Sequence, residues 1–370
     1  MPDKYEEDKE VMSAHFHKLK IKEVRRETPE CVSIAFDVPE ELKEHFLYKQ
    51  GQYLTIRTNI NGEEIRRSYS VCSSPLDNEL RIAVKKIDEG IFSGYANEQL
   101  KKGDEIEAMP PMGKFFTQLN EAHKKSYVAF AAGSGITPVL SIIKTTLYTE
   151  PNSQFTLVYG NRNRHSIIFK EDIEAIKNKF INRFRVIHIL SREKMDAPIN
   201  FGRIDGEKCK ALFENIIDAA GTDEFFICGP EEMIFSVKRF LEERSVDRKK
   251  IHFELFTTPE IKKQTTNINK TNSSSDFKSK VTIKLDGTSF DFDLAFEGDS
   301  ILNAALKLGA DLPFACKGGV CCTCRAKLIN GEVDMDANFS LEPEEIEQGF
   351  ILTCQSHPRT EKVVVDFDIK

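Results

Sequence analysis

Four cysteines fall within nine residues in "CKGGVCCTC" (316–324), and another follows at Cys354 in "GFILTCQ". Thiols this dense can bind zinc, bind iron with sulfide, or pair as disulfides. Cys316 to Cys321 is C-x4-C, Cys321 to Cys324 is C-x2-C, and Cys354 lies thirty residues further on. That is the spacing of a [2Fe–2S] site with a distant fourth ligand. Taking Cys322 in place of Cys321 gives C-x5-C-x1-C, which fits no metal site. Zinc favours paired C-x2-C knuckles, and only one such pair is present here. The candidate metal ligands are therefore Cys316, Cys321, Cys324 and Cys354, with Cys322 as a spare thiol. Gly318 and Gly319 leave the loop's N–H groups free to approach sulfur, as a tuned cluster requires.

A second chemistry lies upstream. In "YVAFAAGSGITPVLSIIK" an apolar run passes into Gly133, Ser134, Gly135 and Thr137 and then into a helical pattern. Glycines allow a tight turn, and a helix start offers free N–H groups and partial positive charge to a pyrophosphate. Pro138 stands where a third glycine would complete the dinucleotide fingerprint, so a plain strand–turn–helix explains the stretch equally well. The next runs end in "VYGNRNRHS" and in Ser191-Arg192. Arg162, Ser191 and Arg192 favour the 2′-phosphate of NADPH over NADH, for which an acidic residue would be expected. "EFFICGPEEM" puts Cys228, Gly229 and Pro230 at another strand end, where ligands of open α/β sheets bind; a buried structural thiol is the alternative. In "EEIRRSYSVCSSP", Arg67 and Tyr69 share one face of a strand, and Ser70 follows. This is a cation beside an aromatic ring, suited to a diphosphate next to a planar group, although cross-strand packing would produce the same pattern. Gly90 and Ser93 in "EGIFSGYANEQL" precede a helical stretch and form a second possible phosphate cradle.

The elements that must position these residues follow from texture. Residues 15–120 carry short alternating runs ("CVSIAFDV", "QYLTIRTNI", "ELRIAVKKI", "DEIEAMPP") separated by turn signals, which predicts an antiparallel β-barrel. Over 121–256, the apolar runs "YVAFAA", "FTLVYG", "FRVIHIL" and "EFFICG" alternate with helical stretches, which predicts an α/β domain with a parallel sheet. Residues 257–279, rich in Thr, Ser, Asn and Lys, cannot bury a core and read as a flexible linker. Residues 280–370 form the cysteine-bearing domain. The multidomain chain has 370 residues and a net charge of −7. From residue 279 onward there are 9 Lys+Arg against 16 Asp+Glu, so this last domain carries the whole excess. An acidic domain does not seek nucleic acid, but it can steer toward a basic protein surface. No apolar run reaches the length of a membrane span, the charged start is no signal or transit peptide, and nine cysteines, an odd number, argue against a disulfide framework. A cytoplasmic location is expected, with no membrane association.

With these residues in place the chain resembles a known family. "RRSYS" resembles the flavin motif of the ferredoxin–NADP reductase superfamily, and "AGSGITP" and "CGPEEM" resemble its nicotinamide motifs. "CKGGVCCTC…LTC" resembles plant-type ferredoxins of β-grasp fold, with Phe350 where many have tryptophan. The order flavin, nicotinamide, ferredoxin is that of the oxygenase reductases. The stretches "YGNRNRHSIIF" and "CKGGVCCTCRAKL" resemble the reductase subunits of phenylacetyl-CoA epoxidase complexes. The resemblance implies FAD, NADPH and one [2Fe–2S] cluster as cofactors, and electron transfer to the di-iron oxygenase subunits of a multicomponent complex. It also implies that Tyr69 stacks on the flavin, Arg67 binds its diphosphate and Ser70 bonds near N5. Val84 and Lys85 would line the adenine side, while Gly90, Phe92 and Ser93 would hold the pyrophosphate. Gly133, Ser134, Gly135 and Thr137 would receive the nicotinamide nucleotide, Cys228 would lie near its ring, and Phe256 would close the flavin domain. An aromatic ring-hydroxylating or other oxygenase is the alternative partner, and a non-catalytic redox-sensing or metal-stabilised binding module is the alternative class.

Overall fold

The computed structural model describes residues 15–256 and 278–369. The expected linker, as far as residue 277, lies outside the described residues. Residues 16–256 form one compact unit, and the C-terminal domain belongs to another.

In the first unit, β1 (His17–Thr28), β2 (Cys31–Asp37), β3 (Tyr53–Ile60), β4 (Glu63–Ser70), β5 (Leu80–Lys85) and β6 (Glu105–Ala108) form one sheet in the order β4-β3-β6-β1-β2-β5. All neighbours are antiparallel. The two ends of the sheet meet where Val71 bridges Ile82 and the Cys72 N–H donates to the Arg81 carbonyl at 2.8 Å. This closes the barrel expected from the alternating runs. β1 is absent from those runs, because register shifts at Ile21/Glu23 and Arg26/Thr28 break its alternation. The β3–β4 hairpin turns on Asn61 (φ 54°) and Gly62 (φ 85°), the pair of left-handed residues a two-residue hairpin loop needs. Helix α1 (Ile91–Glu98) is pinned to the barrel by Asn97, which donates to the Val84 carbonyl at 3.0 Å and accepts from Arg26.

The four apolar runs become β7 (Ser126–Ala132), β8 (Gln154–Asn161), β9 (Phe184–Leu190) and β10 (Glu224–Cys228). A fifth strand, β11 (Ile251–Glu254), completes a fully parallel sheet of order β11-β10-β7-β8-β9. Between them run α2 (Ile136–Thr149), α3 (Lys170–Lys179), α4 (Gly206–Asn215) and α5 (Glu231–Glu243). Helix α2 is buried nearly all round because it lies between the sheet and the barrel. On its barrel side, Ser141 donates to the Ser73 carbonyl at 2.6 Å, Thr145 meets the Ser74 hydroxyl at 2.9 Å, and Lys144 pairs with Asp77. Cys31, Cys72, Ala83 and Phe115 from the barrel side join the core of the α/β domain. The barrel and the parallel-sheet domain are thus one packed body.

The C-terminal domain comprises β12 (Lys278–Leu285), β13 (Thr288–Ala295), α6 (Ile301–Lys307), β14 (Arg325–Asn330), β15 (Val333–Met335), α7 (Pro343–Glu347), β16 (Phe350–Leu352), β17 (Ser356–Pro358) and β18 (Lys362–Asp366). A five-stranded mixed sheet runs β13-β12-β18-β14-β16, with only the β12–β18 pair parallel, and β15 and β17 pair separately. Lys278 and Ser279, placed in the linker by composition, begin β12, and Ser279 is fully buried. Hydroxyl-rich composition does not distinguish a linker from a strand end that packs inward. Phe350 is core, with the Arg325 guanidinium 3.6 Å from its ring centroid. No described helix is long and apolar enough to cross a membrane.

Candidate functional site: a flavin–nicotinamide crevice and a four-cysteine centre

The C-terminal strand ends of the parallel sheet converge on the turn before α2. Gly133 has φ +54°, and its carbonyl accepts from the Tyr159 hydroxyl at 3.1 Å. Ser134 is half-buried, and Thr137 donates its hydroxyl to the Ser134 carbonyl at 3.0 Å, closing the turn on itself. A Cβ on Gly135 would sit 2.1 Å from the Cys228 carbonyl oxygen, and one on Gly229 would sit 2.7 Å from Met233 Cε. The two strand-end loops therefore lie back to back at Gly135, whose added Cβ would meet backbone atoms, a packing only glycine permits there. Pro230 caps α5, and the Cys228 side chain is fully buried.

Ser70 ends β4 and is 5% exposed. Its hydroxyl donates to Glu254 Oε2 at 3.0 Å, joining positions 184 residues apart. Glu254 is the register partner of Cys228 on β11, so Ser70, Glu254 and Cys228 meet where the barrel faces the sheet. The Glu254 carboxyl retains some surface, yet burial dominates and raises its pKa to about 8, with the Ser70 hydrogen bond opposing. Burial, followed by the Glu254 charge, pushes the Cys228 thiol well up, so it stays protonated. Residue spacing does not mark Glu254. Its one signal is a lone carboxylate in the apolar run "IHFELF".

A carboxyl raised in the fold binds its proton more tightly when folded than when unfolded, so stability is full below about pH 4.5 and declines as pH rises toward 8. The flavin-free Glu254→Gln chain is expected to lack this decline. Relative to the parent it gains about 1–3 kcal/mol between pH 5 and pH 8, after discounting for partial exposure. Denaturant unfolding at the two pH values checks this.

The remaining residues named from sequence fall into two groups. Tyr69 is half-buried with its ring centroid 5.5 Å from that of Phe92, while Arg67 is exposed two positions before it. Phe92 and Val84 are 2% and 0% exposed in the barrel core, so only their backbones can reach a ligand. Ser93 lies inside the first turn of α1, not before it as expected. Its hydroxyl bridges the Ile87 N–H and the Gly90 carbonyl at 3.2 Å each, because Gly90 already caps the helix. The Lys85 ammonium lies 3.7 Å from where a Gly133 Cβ would be, so it faces the turn before α2 as well as the barrel. Arg162 and Arg192 are exposed neighbours: the Arg192 N–H donates to the Arg162 carbonyl at 2.8 Å, and the Ser191 N–H to Asn161 at 2.9 Å. Nearby Glu193 is neutralised by Arg164 at 2.5 Å. Phe256 is 41% exposed.

In the C-terminal domain, the four spaced cysteines come together as two pairs. The Cys321 thiol donates to Cys316 Sγ at 3.2 Å, and Cys324 is hydrogen-bonded to Cys354. Antiparallel β14 and β16 make the second pair, since Thr353 donates its N–H and its hydroxyl to the Cys324 carbonyl at 3.2 and 2.9 Å. Hydrogen bonds from Cys321, and then from the N–H groups of Gly318, Val320 and Cys321, lower the Cys316 thiol to about 6. Cys354 is lowered chiefly by Cys324, with help from Gln355 and the Gly319 N–H. Four sulfurs in two pairs, with N–H groups aimed at them, fit a [2Fe–2S] cluster in which each iron takes two thiolates. Cys322 turns away and donates to the Ser340 carbonyl at 3.3 Å.

Comparison with known proteins agrees with this reading. An oxidoreductase FAD-binding domain family matches residues 11–117, an oxidoreductase NAD-binding domain family matches 130–239, and a 2Fe-2S iron-sulfur cluster binding domain family matches 283–359. The chain is 45% identical to one of the subunits of the 1,2-phenylacetyl-CoA epoxidase of Escherichia coli (strain K12), over 96% of this chain and 98% of that protein. It is 30% identical to the ferredoxin reductase component of 3-ketosteroid-9-alpha-monooxygenase of Rhodococcus rhodochrous, over 94% and 96%. The solved phthalate dioxygenase reductase shares the fold at a TM-score of 0.56 and 23% identity, covering 95% of this chain and 98% of that one. The chain belongs to the family of that phenylacetyl-CoA epoxidase subunit and the oxygenase reductase components, oxidoreductases that join FAD-binding, NAD-binding and 2Fe-2S domains.

Proposed function

We propose that this chain is the NADPH-dependent reductase of a cytoplasmic phenylacetyl-CoA 1,2-epoxidase in phenylacetate catabolism, delivering electrons one at a time to di-iron oxygenase subunits. The observation that carries the reading is the 45% identity to a phenylacetyl-CoA epoxidase subunit over nearly the full length of both chains. When bound, FAD supplies the conversion of a hydride into single electrons. The chain's own part is to bind and to orient. Tyr69 offers the flavin an aromatic face, Arg67 a charge for its diphosphate, and Lys85 with the backbones of Val84, Gly90, Phe92 and Ser93 the nucleotide end. Gly133, Ser134, Gly135, Thr137, Gly229 and Pro230 shape the crevice that takes the nicotinamide nucleotide, and Phe256 lies at its edge. The Ser70 hydroxyl, donating to the Glu254 carboxyl, and the Cys228 strand end line the point where the barrel faces the sheet, and the chain need supply no general acid or base. Cys316, Cys321, Cys324 and Cys354 bind the cluster.

The preference for NADPH rests on Arg162 and Arg192, both exposed and without a described ion-pair partner, beside Ser191. Arg162→Ala and Arg192→Ala are each expected to raise KM for NADPH roughly tenfold, as loss of one charge-assisted contact implies, and to leave KM for NADH unchanged. Equal effects on both nucleotides would refute the assignment. Affinity capture of the native protein tests the partner: co-purification of di-iron oxygenase subunits is expected. Capture of an aromatic ring-hydroxylating or other oxygenase instead would favour the second reading; the 3-ketosteroid-9-alpha-monooxygenase relative is a reductase component of such another oxygenase.

A further inference from the structure

We propose that the Gln355 side-chain amide is a positioning residue for the iron–sulfur centre, clamping the 316–324 loop to the strand end that carries Cys354 and thereby setting how readily the cluster is reduced. The inference rests on the reading that the four paired cysteines bind that cluster.

Gln355 follows the fourth cysteine and is fixed by its backbone on both sides. Its N–H donates to the Leu352 carbonyl at 2.9 Å, and its carbonyl accepts from Asp336 at 2.9 Å. From this anchored position Nε2 donates across 38 residues to the Lys317 carbonyl at 2.9 Å, and lies 3.1 Å from the Cys354 carbonyl and 3.5 Å from Cys354 Sγ. Lys317 needs such a clamp, because it is a non-glycine residue at φ +52°, a conformation that persists only where the surroundings over-determine it. The next turn is equally constrained. Gly319 has φ +74°, and a Cβ there would come 2.8 Å from the Ala337 carbonyl oxygen and 3.3 Å from Gln355 Cγ. This strained turn presents the Gly318 N–H to Cys316 Sγ at 3.3 Å and the Gly319 N–H to Cys354. The single amide thus contacts one ligand directly and holds the turn that donates to two. Hydrogen bonds to ligand sulfur stabilise the added electron, so losing them makes reduction harder.

The test uses the full-length chain with FAD and cluster loaded, titrated anaerobically by spectroelectrochemistry. Gln355→Met keeps the stem length and removes the donor. Gln355→Glu keeps the reach but has no N–H and adds charge. Both are expected to retain the cluster bands while the reduced-to-oxidised ratio, at the potential where the parent is half reduced, falls about tenfold, equivalent to about 59 mV for one electron. Loss of the cluster from the Met variant with native circular dichroism also supports the clamp. A loaded Met variant whose ratio stays within twofold of the parent overturns it, and if that variant unfolds the Glu variant is judged by the same criterion. Unfolding of both makes Gln355 merely structural and overturns the proposal. Absence of cluster bands in the parent would instead overturn the reading of the cysteines, a separate failure.

Discussion

Cys321→Ser is expected to abolish the visible bands of the iron–sulfur centre, while Cys322→Ser leaves them intact. The two residues are adjacent and chemically identical, so composition alone does not separate them. Geometry does: Cys321 Sγ lies 3.2 Å from Cys316 Sγ in a pocket of sulfurs, while the Cys322 thiol is directed to the Ser340 carbonyl at 3.3 Å. Serine at 321 offers a hard, poorly acidic oxygen where iron requires a thiolate. Because cluster binding is coupled to folding of the loop, the C-terminal domain should also melt earlier. At 322, serine replaces a weak S–H donor by a stronger O–H donor to the same carbonyl, and stability should stay within about 0.5 kcal/mol of the parent. Iron content, absorbance and thermal melting read both variants. Loss of the bands in Cys322→Ser with retention in Cys321→Ser would reverse the ligand register.

Gly135→Ala should slow reduction of the flavin by NADPH about 100-fold. The added Cβ would lie 2.1 Å from the Cys228 carbonyl oxygen and 2.8 Å from the Gly229 nitrogen, both backbone atoms that cannot rotate away. Relief requires the turn before α2 and the loop after β10 to separate, at about 1–3 kcal/mol of overpacking strain. In the proposed function these two loops frame the crevice that takes the nicotinamide nucleotide, and a misplacement of about 1 Å at a reacting centre costs roughly two orders of magnitude in rate. Anaerobic stopped-flow absorbance measures the effect. Reduction by dithionite serves as the control and should be unchanged, since it bypasses the crevice. Flavin reduction by NADPH at the parental rate would show that this turn does not position the nucleotide.

Part of this protein is legible from residue types and spacing, and part is not. Iron's demand for thiolates within one loop is met by neighbours in the chain, so C-x4-C-x2-C identifies three candidate ligands without a structure. The alternation of apolar runs with helical stretches likewise announces the parallel sheet, because a strand covered on both faces must be apolar throughout. The Asn61-Gly62 turn of the β3–β4 hairpin is local for the same reason, since left-handed backbone is a property of those two residues. What only the tertiary structure decides is which distant groups meet. Cys354 reaches Cys324 because the antiparallel pairing of β14 with β16 sets Arg325 opposite Leu352. Glu254 sits in a strand of four residues, too short for periodicity, and gains its contact with Ser70 and its raised pKa only when the barrel packs on the sheet. The burial of Phe92 and Val84, the inward turn of Ser279, and the reach of Gln355 to Lys317 follow from the same cause. Pattern records what each residue is and who its chain neighbours are, whereas burial, desolvation and hydrogen bonding between remote segments exist only after the sheets have closed.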